Sequence, residues 1–367
     1  MTSISGSSDG PVAVTGASGF VGSHVVKNLV EHGYDVHACL RDSSREDKTS
    51  YLLDIDKKGP GSVKLFSCDL YKAADGEYDE AFAGCSAVFH VAADIGTDAA
   101  TYGRQPPQKL YEGLVNMTLA ILESCRKVGT VKRVIYTSST AAVLGPGAPD
   151  RPLNYVYTED DWSGGSYETL EERHMGDDGK TLWTSETRAY SKGKVDAEKA
   201  GYAFGIETGI DVISICPWHV FGPLLGVPHD SEMVFQHRLG LALKGESEVE
   251  RSRGNILWNI IDVRDIAESQ RLAAESDVAT NGSRYCLVAH DKSGELPANE
   301  FLDTLQELFP NHNVCGGYRP EPTDQRNRAS CLKAIKELGL KPHDVRDTLR
   351  DTGNSLIELG RVPSAVK

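Results

Sequence analysis

The fold of this chain is decided by Pro11-Val12-Ala13-Val14-Thr15-Gly16-Ala17-Ser18-Gly19-Phe20-Val21-Gly22. An apolar run, a glycine turn and the start of a helix follow one another in this stretch. Gly16 lets the chain turn sharply, Gly19 lets bare backbone approach a phosphate, and Gly22 lets the helix lie close to the sheet. The free N–H groups at the helix start then face an anion. The layout predicts a site for a dinucleotide pyrophosphate.

Strand-like and helix-like segments alternate from this turn to about Val143. Apolar residues recur at helical spacing after the turn, and Gly33 stands where that helix would end. The alternation predicts an α/β fold, a doubly wound parallel sheet of the Rossmann type with ligands at the carboxyl ends of its strands. The predicted strands are Tyr34 to Leu40, Val63 to Cys68, Ala87 to Val91 and Arg133 to Thr137, with a helix from Leu114 to Val128.

The second half of the chain is less regular. Residues 145–187 are rich in Gly, Pro, acidic and aromatic residues, which indicates a long loop where such folds shape an active site. Further on, the pattern predicts helices at 189–207, 263–276, 298–308 and 328–338, strands at 211–216, 256–261 and 284–289, and a helical insertion at 222–255.

These segments predict two interlocked domains behind a flexible N-terminus of residues 1–10. A Rossmann domain would take residues 11–221 with contributions from about 256–276. A smaller, mostly helical substrate-binding domain would be woven from residues 222–255 and 277–367.

Composition excludes several classes of protein. A net charge of −14 over 367 residues argues against a nucleic-acid surface, which needs clustered Lys and Arg. The eight cysteines are scattered with no metal-ligand spacing, so we expect buried free thiols in a reducing compartment and no metal. Neither a signal peptide nor an apolar run of membrane-spanning length is present, and we expect a cytoplasmic protein.

Tyr190-Ser191-Lys192-Gly193-Lys194 is the second chemical signal. Tyr190 and Lys194 stand four residues apart on a predicted helix and therefore share a face. An ammonium near a phenol favours the phenolate, so we expect Lys194 to lower the pKa of Tyr190. The pair could then give a proton to an alkoxide or take one from an alcohol.

A run of hydroxyl side chains, Tyr136-Thr137-Ser138-Ser139-Thr140-Ala141, follows a predicted strand. A serine at the carboxyl end of that strand could hydrogen-bond a substrate carbonyl oxygen. Adjacent strand residues point to opposite faces, and the pattern alone leaves Ser138 and Ser139 as alternatives.

An ordered set of motifs resembles one family. TGASGFVGS, CLRD, CDL, FHVAA, YTSS and YSKGK recur in the order found in extended short-chain dehydrogenase/reductases. Within these the chain is similar to the branch of dihydroflavonol reductases, cinnamoyl-CoA reductases and fungal NADPH-dependent carbonyl reductases. The run from Cys216 to Pro223 fits the branch's P-x-x-x-x-G-P, and Asp160 to Ser163 fits its acidic-Trp-Ser element.

The resemblance implies a catalytic triad of Ser139, Tyr190 and Lys194, because the branch uses the second serine of T-S-S. Tyr190 would donate the proton, Lys194 would also bond the nicotinamide ribose, and Pro217 would abut the nicotinamide. The candidate cofactor-binding residues are Gly16, Ser18, Gly19, Phe20, Val21, Gly22, Arg41, Lys48, Asp69, Leu70, Val91, Ala92, Ala93, Thr137, Tyr190, Lys194 and Pro217.

Cofactor choice follows from the end of the second strand. An acidic residue there would bind a ribose hydroxyl and repel a 2′-phosphate, but Leu40 and Arg41 stand at that place. The Arg41 guanidinium can fork onto phosphate oxygens, and Lys48 falls where the branch often has a second basic contact. We therefore expect NADP(H).

The substrate is less constrained. Leu144 replaces the Asn of dihydroflavonol reductases, and the cinnamoyl-CoA reductase signature around the tyrosine is missing, so neither plant substrate is assumed. Aromatic residues of the loop and of the sixth strand's end suggest an apolar or aromatic pocket or, equally, loop packing. These residues are Tyr155, Tyr157, Trp162, Tyr167, Trp183, Trp218, His219 and Phe221; the candidate pocket set is Leu144, Trp218, His219 and Phe221.

The sequence thus predicts an NADPH-dependent oxidoreductase acting on a small-molecule carbonyl or alcohol, either as a monomer or as a homodimer. Two alternatives stay open at this point. One is a nucleotide-sugar epimerase or dehydratase with tightly bound NAD, against which Arg41 and the aromatic loop argue. The other is a non-catalytic NADP(H)-sensing protein, which would be expected to lack Tyr190 and Lys194.

Overall fold

Seven parallel strands form the central sheet in a computed structural model that describes residues 2–93, 97–98, 103–104, 106–145, 151–152, 155–163, 174–175, 182–183, 185–226, 234–253, 257–289, 295–321 and 328–364. They are β1 Val12–Thr15, β2 Asp35–Leu40, β3 Ser62–Ser67, β4 Ala87–His90, β5 Arg133–Thr137, β6 Asp211–Pro217 and β7 Arg284–Leu287.

The order across the sheet is β7-β6-β5-β4-β1-β2-β3, and every neighbouring pair is parallel. The chain moves from β1 outward to β3 and then returns to the other side of β1 with β4. The reversal between β1 and β4 is the topological switch point, where ligands bind at the carboxyl ends of the strands. The predicted doubly wound parallel sheet is confirmed.

Helices cover both faces of this sheet. They are α1 Phe20–Glu31, α2 Glu46–Asp56, α3 Asp79–Phe82, α4 Pro107–Val128, α5 Ser185–Thr208, α6 Val234–Leu243, α7 Glu248–Arg253, α8 Val263–Glu275, α9 Ala298–Leu308 and α10 Val345–Glu358. Val12 and Val14 of β1 point toward the face covered by α1 and α8, whereas Ala13 points toward the face with α4, as the two-residue period of a strand requires.

A second apolar core lies apart from the sheet. It joins α6, α9 and α10 to a small sheet of three strands, and Trp258, Phe221 and Phe301 are its buried aromatic centre. The domain boundaries predicted from the sequence stay a prediction. The small sheet has the strands His219–Phe221, Leu257–Asp262 and Glu295–Pro297.

Short elements complete the described chain. Two-residue strands pair as Thr97–Asp98 with Gly103–Arg104, His174–Met175 with Leu182–Trp183, and Val156–Tyr157 with Arg328–Ala329. The 3-10 turns are Ser7–Asp9, Leu70–Asp75, Thr140–Ala142 and Val314–Gly317, and a π-helical turn spans Ala334–Leu338.

Two sequence predictions about the C-terminal region differ from the structure. Residues 328–338, predicted as one helix, begin with a strand, because Arg328–Ala329 pairs with the loop strand Val156–Tyr157. Helix α10 was not predicted from the apolar pattern. Its buried face includes Thr348, Thr352 and Ser355, which weaken the pattern because they are polar.

The N-terminus also differs from its prediction as a flexible segment. Ile4 is buried in the main core, and its N–H donates to the carbonyl oxygen of Ala274 at 3.1 Å. Thr2 hydrogen-bonds the Asp211 carboxylate, and the Ser5 N–H donates to Asp9 at 2.8 Å. The segment therefore packs under the amino-terminal edge of the sheet.

Candidate active site

The glycine turn after β1 is as tight as the sequence predicts. Gly16 has a φ of +66°, and a Cβ there would lie 3.0 Å from the Cα of Ala92. A Cβ on Gly22 would lie 2.1 Å from the carbonyl oxygen of Gly16, a separation that no side chain tolerates. Only glycine fits at Gly22, because α1 begins almost in contact with the turn.

The start of α1 presents a site for an anion. Gly19 occupies the N-cap position with φ −80° and ψ 173°, and no side chain caps the helix. The N–H groups of the first turn are the donors that helix N-termini offer to phosphate, and the helix dipole adds to the attraction. Phe20 is buried and Val21 partly buried beneath this turn, and the Ser18 carbonyl oxygen accepts from the Tyr51 hydroxyl at 2.7 Å. These residues fit a dinucleotide.

A buried network that the sequence reasoning missed joins this turn to β4. The Thr15 hydroxyl oxygen accepts from the N–H groups of Val91 at 3.1 Å and Ala92 at 3.0 Å, and lies 2.9 Å from Nδ1 of His90. Burial and the charge of Lys194 lower the pKa of His90 to about 3, so its ring is neutral. His90 stands in the FHVAA motif, which was the available signal. Val91, Ala92 and Ala93 lie partly exposed at this strand end.

The basic residues proposed for the phosphate of the cofactor lie at the end of β2. Arg41 follows the last residue of β2 and is exposed. Lys48 lies in the first turns of α2, where burial lowers its pKa. The nearby Arg45 is paired with Asp47, with Nε 2.9 Å from the carboxylate.

Asp69 and Leu70 follow β3 at the same edge of the sheet. The Asp69 carboxylate caps the turn Leu70–Asp75 by accepting the Tyr71 N–H at 3.1 Å. Its side chain thus fixes the local backbone. Leu70 lies partly buried against the cluster that holds Ala13 and Cys39.

Tyr190, Lys194 and Ser139 come together at the carboxyl end of β5. The Lys194 ammonium donates to the Thr137 carbonyl oxygen at 2.9 Å and to the Tyr136 hydroxyl at 3.3 Å, and lies 5.8 Å from the centre of the Tyr190 ring. The Ser139 side chain hydrogen-bonds the Tyr190 phenol. Residues distant in sequence thus meet because α5 packs across the end of this strand.

The expectation that the pKa of Tyr190 would be lowered was wrong in this structure. Burial raises the pKa of Tyr190, and the hydrogen bond from Ser139 opposes that rise only in part. Lys194 is itself buried, which lowers its pKa to about 8 although the Glu198 carboxylate acts in the opposite direction. Desolvation outweighs the pairing that the sequence suggested.

The two adjacent serines have different partners. The Ser138 hydroxyl is buried and donates to the carboxylate of Glu198. Ser139 is partly exposed, accepts from the Ala141 N–H at 3.1 Å and bonds Tyr190. Of the pair, Ser139 alone lies beside the phenol.

Pro217, the last residue of β6, lies next to this strand end. Its carbonyl oxygen accepts from the Thr140 hydroxyl at 3.4 Å. On the other side of β5, the Thr137 hydroxyl oxygen accepts from Gln270 of α8 at 3.0 Å. The first bond ties the turn after β5 to the end of β6, and the second ties the end of β5 to α8.

The residues predicted for a substrate pocket separate into two groups. Leu144 and Trp218 are partly buried around a small apolar cluster that includes Val143 and Tyr157. His219 is partly exposed, and its Nδ1 accepts from the Asn259 N–H at 2.9 Å. Phe221 has no exposed surface and packs on Trp258, so its prediction as a pocket residue is not supported.

The aromatic loop residues that the structure describes pack on the body of the protein. The Tyr155 hydroxyl donates to Asp161 at 2.9 Å, and the Trp162 ring lies under the Arg284 guanidinium carbon at 3.6 Å. The packing interpretation therefore holds for these two. Tyr167 and the side chain of Trp183 lie outside the described residues.

Two further features are absent from the described parts of the chain. No helix there is both long enough and apolar enough to cross a membrane. Within the same residues, no group of three or more His, Cys, Asp or Glu side chains is arranged to hold a metal ion. The eight cysteines are all free and buried.

Comparison with known proteins agrees with this geometry. The model of the NAD dependent epimerase/dehydratase family matches residues 12–287. The dihydroflavonol 4-reductase of Hordeum vulgare is 33% identical over 368 residues, which cover 97% of this chain and 92% of that protein. A cinnamoyl-CoA reductase of Medicago truncatula is 30% identical and covers 95% of each chain.

Solved structures show the same fold. The yeast methylglyoxal/isovaleraldehyde reductase complexed with NADPH superposes with a TM-score of 0.73 at 23% identity, over 96% of this chain and 100% of that one. Vestitone reductase from alfalfa gives a TM-score of 0.69 at 23% identity, over 96% of this chain and 99% of the other. Sheet and site thus define a dinucleotide-binding enzyme of the extended short-chain type.

This chain belongs to the NAD dependent epimerase/dehydratase family. The resemblance inferred from the sequence motifs is confirmed.

Proposed function

We propose that this protein is an NADPH-dependent reductase that converts an aldehyde or ketone to an alcohol, or performs the reverse oxidation. The observation that carries the proposal is the meeting of Ser139, Tyr190 and Lys194 at the end of β5, on the edge of the sheet where the glycine turn lies. An acid, a hydrogen-bond donor and a cation at a dinucleotide site suit carbonyl reduction.

The glycine turn and the start of α1 would hold the pyrophosphate, and NADPH, when bound, supplies the hydride. Arg41 and Lys48 would hold the 2′-phosphate, because a guanidinium forks onto phosphate oxygens. Asp69 and Leu70 would flank the adenine. Val91, Ala92, Ala93, Thr137 and Pro217 would line the rest of the cleft.

Three side chains of the site would act on the substrate oxygen. Tyr190 donates its phenolic proton to that oxygen, and Ser139 donates a hydrogen bond that orients the carbonyl. The raised pKa keeps Tyr190 protonated, which suits a proton donor. Two N–H groups of Lys194 are used by Thr137 and Tyr136, and the third would hold the nicotinamide ribose.

The proposed substrate class rests on Leu144 and on the residues that follow Pro217. Leu144 and Trp218 offer apolar surface, and the His219 ring lies 5.6 Å from that of Trp218. We therefore propose an apolar or aromatic carbonyl compound. The oligomeric state, a monomer or homodimer, and the cytoplasmic location stay predictions.

The experiment that tests the proposal follows the loss of NADPH absorbance with aliphatic and aromatic aldehydes, ketones and diketones. We expect turnover by the wild type and a loss of at least about a hundredfold in Tyr190→Phe, with unchanged NADPH affinity. Turnover that survives in Tyr190→Phe would remove the tyrosine from its role. NAD that stays bound through purification, with no carbonyl turnover, would favour the epimerase alternative instead.

A further inference from the structure

A buried carboxylate lies one helical turn beyond Lys194. Glu198 has no exposed surface, and its oxygens accept hydrogen bonds from four side chains. The Ser138 hydroxyl donates one bond, the Tyr202 hydroxyl donates at 2.9 Å, the Arg284 Nε donates at 2.6 Å, and the Cys216 thiol donates at 3.8 Å. The carboxylate therefore joins α5 to the strand ends of β5 and β7.

Arg284, the ion-pair partner of Glu198, also binds backbone near the site. Arg284 is 4% exposed and uses the rest of its guanidinium on backbone carbonyl oxygens. Its Nη1 donates to Glu159 and Asp161, both at 2.8 Å, and its Nη2 donates to Ala142 at 3.3 Å. One side chain thus binds the loop at 159–161 and the turn that follows Ser139.

Stability alone is a weak reason for such a pair. Taking two charges out of water costs about as much as their attraction returns, and apolar residues of similar size often serve as well. The pair instead fixes the geometry of the site. Glu198 lies on the helix that carries Tyr190 and Lys194 and binds Ser138, while Arg284 binds the loop at 159–161.

We propose that Glu198 and Arg284 are positioning residues for the reaction proposed above, holding Ser139 in place through Ser138 while Glu198 acts on Lys194. Neither residue touches the proposed substrate. Their contribution would be to keep the Ser139 hydroxyl and the Tyr190 phenol at hydrogen-bonding distance, which matters because small displacements of reacting groups cost large factors in rate.

The charge of Glu198 gives this inference a second readout. The Glu198 carboxylate favours the charged form of Lys194 and so raises its pKa against the effect of burial. Removing the negative charge should lower the pKa of Lys194 further, and the ammonium would be lost at a lower pH. The other titratable groups around Lys194 are His90 on β4, Tyr136 on β5, Tyr190 on α5 and Cys216 on β6.

The decisive variant is Glu198→Gln, measured with NADPH and a carbonyl compound that the wild type reduces. We expect kcat to fall about tenfold or more, the KM for NADPH to stay within about twofold, and the alkaline limb of the kcat profile to move about one unit lower in pH. An unchanged kcat and an unchanged alkaline limb would overturn the inference.

Glu275→Gln is the matched control. The Glu275 carboxylate also accepts from a tyrosine hydroxyl, Tyr34 at 2.8 Å, and from an arginine, Arg271 at 2.5 Å. It lies at the end of α8, near the amino-terminal edge of the sheet and away from the site. A loss of kcat in Glu275→Gln as large as that in Glu198→Gln would show that any broken pair has this effect, and would overturn the inference.

Two milder variants test the positioning role if Glu198→Gln does not fold. Ser138→Ala removes one hydrogen bond of the network, and we expect a kcat several-fold lower, against at least about a hundredfold for Ser139→Ala. Arg284→Lys keeps a charge opposite Glu198 but loses the fork onto the carbonyl oxygens, so kcat should fall while the alkaline limb stays in place. Wild-type kcat in both variants would overturn the inference.

Failure of the positioning role can be distinguished from failure of the proposed reductase function. Failure of the wild type to oxidise NADPH with any carbonyl compound would refute the proposed function itself. A wild type that turns over and loses activity in Tyr190→Phe, together with a fully active Glu198→Gln, would refute only the positioning role.

Discussion

The ammonium group of Lys194 donates a 2.9 Å hydrogen bond to the carbonyl oxygen of Thr137, the last residue of β5. This contact fixes a buried cation at the edge of the sheet where the glycine turn also lies. Burying this ammonium group costs the protein stability, because burial lowers the pKa of Lys194 to about 8.

Lys194→Met should therefore separate stability from activity. We expect kcat to fall at least about a hundredfold, and the free energy of unfolding at neutral pH to rise by about 1 kcal/mol. A lysine whose folded pKa is lowered opposes folding below that pKa, and the penalty fades as pH rises from about 8 toward 10.5. Urea unfolding of both proteins at pH 7 and pH 10 measures this, and a less stable variant at pH 7 would contradict it. Lys192→Met on the same helix is the control.

Gly22→Ala should abolish the dinucleotide site. The added Cβ would lie 2.1 Å from the carbonyl oxygen of Gly16, so the turn must move away from α1. We expect NADPH affinity to fall at least about a hundredfold, measured by fluorescence titration. Gly113→Ala is the matched control, because a Cβ on this helical glycine meets only the Met117 Cε at 3.9 Å. Wild-type affinity in Gly22→Ala would refute the assignment of the turn.

Arg41→Ala should change the cofactor preference. Arg41 stands exposed at the end of β2, where a 2′-phosphate would lie. We expect the KM for NADPH to rise about tenfold or more with little change in the KM for NADH, because NADH has no phosphate at that place. Arg45→Ala tests the specificity of the effect, since Arg45 is already paired with Asp47. An equal rise of the KM for NADPH in both variants would show that any lost positive charge near β2 has this effect, and would contradict a specific role for Arg41.

His343, which lies outside the proposed active site, makes the stability of the protein depend on pH. Its Nδ1 lies 2.5 Å from the buried carboxylate of Asp265, and this hydrogen bond raises the pKa of His343. A histidine with a raised folded pKa adds stability that is fully present below about pH 6.5 and is lost as pH rises through the folded pKa. The His343 side chain is 40% exposed, so solvent limits the effect to about 1 kcal/mol.

The measurement compares urea unfolding of the wild type and His343→Ala at about pH 6 and about pH 9. The wild type should be the more stable protein at the lower pH, and the difference should shrink at the higher pH. A difference that grows with pH would show that the pair does not act through protonation of the histidine.

Sequence reasoning found the site where the chemistry depends on short-range spacing. Gly16, Gly19 and Gly22 lie within seven residues, and Tyr190 and Lys194 lie four residues apart on one helix. Local geometry follows from such spacing, because the φ freedom of glycine and the helical period are properties of the chain itself. The same reasoning failed for α10, whose buried Thr348 and Thr352 hydrogen-bond Asp262 and the Gly222 N–H.

By itself, then, the sequence determined the doubly wound sheet, the glycine turn and the spacing of the tyrosine and lysine, since these depend on residues close together in the chain. Only the tertiary structure decided that Ser139 faces Tyr190 while Ser138 turns to Glu198, and that Arg284, 86 residues beyond that glutamate, secures it. It also decided that burial raises the pKa of Tyr190 despite the lysine. The physical reason is that desolvation and long-range hydrogen bonds depend on which distant segments pack together.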